Sequence, residues 1–97
     1  MKAYKHLIKF ALAQGCTVSV WDGEEWQVKR STSFKAITEA VESVEEAQLK
    51  IRDKAGESVG WALVSAFGLA DDETVMDNTM TPFMDSWDAA YNQTMGA

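Results

Sequence analysis

An α+β fold in the order α-β-β-α-β-β-α is what this 97-residue sequence predicts, and three observations carry the prediction. Apolar residues recur at helical spacing in three segments. Three other segments alternate apolar and polar residues as half-buried strands do, and a fourth is apolar on both faces as a covered strand is. Turn-forming residues divide each strand pair, Asp22-Gly23 in the first and Asp53-Lys54-Ala55-Gly56-Glu57 in the second. The two hairpins combine into a mostly antiparallel sheet of about four strands, packed with three helices in a single domain spanning 1–97.

The first helix carries Tyr4, Leu7, Ile8, Ala11 and Leu12 on one stripe, keeps Lys2, Lys5 and Lys9 off it, and stops at Gly15. A strand follows from Cys16 to Trp21 and another from about Glu25 to Ser31. Side-chain parity sets their register. A three-residue loop, Asp22 to Glu24, pairs Val20 with Trp26 and Val18 with Val28 on one apolar face, with a bulge at Gly23. Trp21 then points the other way, beside the acidic turn. There it either contacts a partner or covers the first or last helix, and covering is the commoner use.

Ser31-Thr32-Ser33 supplies N-caps for a second helix, 34–44, whose stripe is Phe34, Ile37, Val41 and Val44. A third strand, 47–52, alternates Ala47, Leu49 and Ile51 with Gln48, Lys50 and Arg52. A five-residue loop to the fourth strand, 58–67, sets Ile51 opposite Val59, Leu49 opposite Trp61 and Ala47 opposite Leu63. The other face of that strand, Gly60, Ala62, Val64 and Ala66, is small but apolar. An internal strand covered on both faces is therefore expected. Thr74-Val75-Met76 suits a short edge strand. Thr81-Pro82 opens the last helix, with Thr as N-cap, Pro at the first position and Asp85 in the first turn. Phe83, Trp87, Ala90, Tyr91 and Thr94 form its stripe, flanked by Met84 and Met95.

Charge is distributed unevenly. The formal net is −6, yet all nine Lys and Arg lie in residues 1–54. The remaining stretch holds Glu57, Asp71, Asp72, Glu73, Asp77, Asp85 and Asp88 with no cation among them. An acidic chain is a poor direct ligand for nucleic acid, which requires a basic surface. The longest unbroken apolar run, Ala11-Leu12-Ala13, falls far short of the roughly 20 residues a membrane span needs. Cys16 is the only cysteine, so no internal disulfide forms and the expected address is the cytoplasm.

Candidate chemistry is sparse. His6 is the only histidine, and one His with one Cys makes neither a nucleophile–base–orienter set nor a zinc site. Phosphate-binding glycine loops are absent. Asp71-Asp72-Glu73 with Asp77 lacks the alternation and central glycine of a calcium loop. No cofactor, metal or catalytic residue is expected, and the reading is of a non-enzymatic binding protein. Its partner surface falls on Asp71, Asp72, Glu73, Asp77, Met80, Met84, Asp85 and Asp88, with Trp21 in addition. Carboxylates around adaptable methionines suit a protein with a basic patch. Self-association through an uncovered sheet face or edge strand, as a component of a larger assembly, is the alternative.

Two stretches, Val20-Trp21-Asp22-Gly23-Glu24-Glu25-Trp26 and Gly60-Trp61-Ala62-Leu63-Val64, give the chain a resemblance to the small accessory proteins of tailed bacteriophages. The resemblance implies a protein that binds and redirects or inhibits a host protein in the host cytoplasm, in some cases by imitating the charge of DNA.

Overall fold

The computed structural model describes residues 1–96. The elements are α1 (Ala3–Ala13), β1 (Thr17–Trp21), β2 (Trp26–Ser31), α2 (Phe34–Glu42), β3 (Ala47–Arg52), β4 (Ser58–Val64), a 3-10 turn (Asp71–Glu73), β5 (Val75–Asn78) and α3 (Pro82–Gly96). The fold is α+β, with three helices and an antiparallel sheet of five strands in the order β2-β1-β3-β4-β5. The fifth, beyond the four strands of the two hairpins, is the short edge strand expected at Thr74-Val75-Met76, which spans Val75–Asn78.

Local chemistry sets the helix limits. At the end of α1 Gly15 adopts φ +82°, and the Cys16 and Gly15 amides donate back to the Ala11 and Leu12 carbonyls. That pair of bonds satisfies carbonyls the helix leaves open. The Ser33 hydroxyl accepts the Ala36 amide at 3.1 Å to start α2. Thr81 starts α3 by accepting the Met84 amide, while its hydroxyl donates to the Val59 carbonyl at 2.6 Å and ties the helix to β4.

One layer of helices covers one face of the sheet. Tyr4, Leu7, Ile8 and Ala11 of α1, Ile37 and Val41 of α2, and Met84, Trp87 and Tyr91 of α3 form one core with Val18, Val20, Leu49, Ile51, Ala62 and Val64. The α3 stripe is thus rotated from the predicted one. Met84 takes the inner position, Phe83 is half-buried and Thr94 is exposed. The Met95 side chain lies outside the described residues.

Two registers differ from the expected ones. In the first hairpin the loop has four residues, so Trp21 pairs with Trp26, and Val20 meets Val28 after a bulge. The Asp22 carboxylate closes the loop by accepting the Glu24 and Glu25 amides at 2.7 Å. A second irregularity sets Val18 opposite Ser31, where Arg30 has φ +47° and its amide donates to the Ser19 hydroxyl. In the second hairpin Arg52 pairs with Ser58 while Ile51 pairs with Gly60, leaving Val59 as an extra residue. That one residue reverses the parity of β4. Leu49 therefore opposes Ala62, and Trp61 opposes Lys50.

The reversal has a packing cause. A Cβ on Gly60 would lie 2.8 Å from the Met84 sulfur and 2.9 Å from its Cγ, so only a glycine lets α3 approach this closely. A tryptophan could not occupy that face. Consequently β4 is internal to the sheet, as expected, but covered on one side only.

Candidate functional site

Cross-strand partners project to the same side of a sheet, so the registers define the uncovered face. It carries Ser19 and Trp21 of β1, Trp26 of β2, Gln48, Lys50 and Arg52 of β3, Trp61 and Leu63 of β4, and Asp77 of β5. Three of the chain's four tryptophans stand here. Trp21 and Trp26 meet edge to face, ring centroids 5.1 Å apart at 66°. Across the sheet, the Trp61 indole N–H donates to Gln48 Oε1 at 3.1 Å, which fixes that ring and leaves the Gln48 amide nitrogen to donate elsewhere. Trp21, Trp26, Gln48, Lys50 and Trp61 line a cleft of about 410 Å³. A second, smaller hollow of about 230 Å³ shares Trp26 and is otherwise lined by Ser19, Lys29, Arg30 and Arg52.

The electrostatics of this face run against the net charge of the protein. Among the described residues the ion pairs are Lys5 with Glu42 and Lys35 with Glu39, both in the helix layer. Lys29, Arg30, Lys50 and Arg52 have no carboxylate partner among the described residues. The sheet order separates the charges further. Strands β2 and β3, on either side of β1, hold these four cations, whereas β4, β5 and α3 carry none.

The residues expected to form a partner surface do not form one patch. Asp71, Asp72 and Glu73 make the exposed 3-10 turn, Asp77 lies on edge strand β5, and Asp85 and Asp88 lie on the exposed side of α3. Met80, 90% exposed, stands between β5 and α3. Met84 is a correction: it is fully buried beneath α3, against Gly60, and reaches no partner. Trp21 is half-buried on the uncovered face and covers no helix, because all three helices pack on the other side. The sequence does not single out Trp26, Trp61, Gln48 and Lys50, because hydrophobic alternation places both tryptophans on the core face. The smallness of Gly60 and Ala62 was the available signal, as such a face suits a closely packed helix and turns Trp61 away from it.

The ionisable groups of the helix layer serve the fold. The Trp87 indole N–H donates to His6 Nδ1 at 3.1 Å and the Tyr91 ring packs edge-on against the imidazole at 5.1 Å. Burial lowers the His6 pKa from its ordinary value, so the imidazole acts as a neutral acceptor. Tyr4 donates to Glu42 at 3.0 Å, and burial together with that carboxylate raises its pKa. Cys16 is buried and its thiol pKa is raised, first by burial and then by the charge of Asp53. A thiol so placed is a weak nucleophile.

Among the described residues no group of three or more His, Cys, Asp or Glu side chains converges as metal ligands would, and no helix is long and apolar enough to cross a membrane. The cleft can therefore hold an apolar side chain against tryptophan faces and edges while Lys50 and the neighbouring hollow receive negative charge. No family model, curated protein or solved structure matches the chain.

Proposed function

We propose that this chain is a non-enzymatic protein-binding module whose partner docks on the uncovered face of the sheet, with Trp21, Trp26 and Trp61 as anchors. One observation supports the reading above all others: three tryptophans share one exposed face, around a cleft of about 410 Å³ that no element of the chain fills. Tryptophan is the side chain most enriched among residues that dominate binding energy. Leaving it half in water has no benefit to the fold, since apolar area gains free energy only when water is removed from it. The resemblance to phage accessory proteins supports the same reading, with a host-cell protein in the cytoplasm as the partner.

Capture from the native cell's lysate with immobilised wild type and with Trp26→Ala tests it. Trp26 is 38% exposed, so its removal leaves the core intact. A protein retained by the wild type and lost from the variant is the expected result; identical retention by both would sink the proposal.

A second reading keeps a partner with a basic patch on the acidic side of the molecule. It is favoured by the exposed Met76, Met80, Phe67 and Leu69 among Asp71, Asp72, Glu73 and Asp77, on a half of the chain without cations. Neutralising those four carboxylates together would abolish capture under this reading and leave it intact under the first. Assembly with further copies is distinguished by light scattering. Face-to-face pairing of two sheets would bring Lys50 and Arg52 against their own copies, so the expected species is a monomer.

A further inference from the structure

We infer that the occupant of the tryptophan cleft is an acidic protein segment: an aromatic or large aliphatic side chain flanked by carboxylates. The inference rests on the proposed binding role of this face and adds the chemistry of the partner, which has the sign opposite to a basic patch.

Three observations lead there. The cleft and the cationic hollow adjoin across Trp26, so a chain that seats an apolar side chain between Trp21, Trp26 and Trp61 carries its neighbours toward Lys29, Arg30 and Arg52. Lys50 lines the cleft itself, half-buried against indole rings and with no carboxylate partner among the described residues. A cationic head that no carboxylate neutralises attracts an incoming anion and opposes an incoming cation. Finally, the Gln48 amide nitrogen remains free to donate beside it, because its oxygen is taken by Trp61.

A single nucleic acid strand also combines negative charge with flat rings, and the geometry argues against it. Stacking platforms offer successive exposed ring faces, whereas Trp21 and Trp26 meet edge to face at 66° and present no run of parallel faces.

The test uses the intact chain and its own tryptophan fluorescence. The fourth tryptophan, Trp87, is buried in the helix layer, so spectral change reports chiefly on the face. The probes are the blocked pentapeptides acetyl-Glu-Asp-Phe-Asp-Glu-amide, its counterparts with Ala for Phe and with Lys for every acidic residue, and a fifteen-nucleotide thymidine strand. The acidic Phe peptide is expected to give a saturable shift at least tenfold tighter than the Ala and Lys peptides and the thymidine strand. Lys50→Glu is expected to reverse the order of the acidic and lysine peptides, and the milder Lys50→Gln to level it, with circular dichroism unchanged in both. Tighter binding of the lysine peptide would overturn the inference and leave the face as a protein-binding surface. Tighter binding of the thymidine strand would overturn it in favour of nucleic acid. Failure of every probe to perturb the tryptophans would remove both the inference and the reading on which it rests.

Discussion

Replacing Gly60 by alanine would set a Cβ 2.8 Å from the Met84 sulfur, 2.9 Å from its Cγ and 3.6 Å from the Phe83 ring. Met84 is fully buried, so it yields only by disturbing the core. Overpacking of this kind costs about 1–3 kcal/mol, and the flexible thioether places Gly60→Ala toward the lower end, at about 1–2 kcal/mol. Met84→Ala removes Cγ, Sδ and Cε from the same space. At about 0.8 kcal/mol per buried methylene-sized group the transfer loss is about 2.4 kcal/mol, and the cavity term raises the total to about 3–4 kcal/mol. In the double variant the clash disappears and the new methyl refills part of the cavity. Gly60→Ala is then neutral or stabilising, which gives a coupling of about 1–3 kcal/mol between the two sites. Urea denaturation of the four proteins, followed by circular dichroism at a common m-value, measures it. Additive effects, with a coupling below about 0.5 kcal/mol, would refute the packing of α3 on β4 described above. The same measurement bears on function, because a Met84 that served a partner would be replaceable without loss of stability.

The His6–Trp87 bond makes stability depend on pH. The folded pKa lies below the ordinary 6.5, so the unfolded chain binds more protons in the interval between them. The contribution is complete above 6.5 and is lost as pH falls through the lower, folded value. A falling urea midpoint between about pH 7.5 and pH 5.5 is expected, with the slope reduced in His6→Gln; equal slopes in the two proteins would contradict it. Ser33→Ala removes the cap of α2 and should cost about 1 kcal/mol by the same assay, whereas a change near zero would show the cap to be idle. The buried Cys16, its pKa raised, should react with a disulfide reagent at pH 8 far more slowly than in urea. Equal rates in the two states would contradict its burial.

The helices were legible because their ends are written locally. Gly15, Ser33 and Thr81-Pro82 each terminate or start a helix through bonds to residues three to five positions away, and such bonds depend little on the rest of the fold. The register of β4 was illegible for the opposite reason. It turns on whether Val59 is paired or extra, and that is decided by α3, more than twenty residues later, pressing Met84 against Gly60. Ranking by hydrophobicity alone sent Trp61 to the core and left Met84 outside, and the structure exchanges them. Volume was the better guide, since a face of Gly60 and Ala62 accepts a helix and a tryptophan between glycine and alanine does not. The candidate site was hidden behind the same inversion. With β4 reversed, Trp61 joins Trp21, whose outward direction was legible, and the four-residue turn brings Trp26 beside it.

The sheet order has a consequence for how the molecule meets others. The chain loses its last cation at Lys54, between β3 and β4, and those strands are neighbours near the middle of the sheet. A boundary in the sequence thus becomes a boundary in space, and the molecule is an electric dipole superimposed on a negative monopole. The monopole sets whether it drifts toward another charge; the dipole sets which way it turns. With a screening length of about 8 Å at physiological salt, the distant acidic pole fades while the nearer pole still acts. An anionic body close by therefore exerts a torque that rotates the β2-β1-β3 edge, and with it the indole rings, toward the point of first touch. Orientation is selected before contact by the order in which five strands are laid side by side.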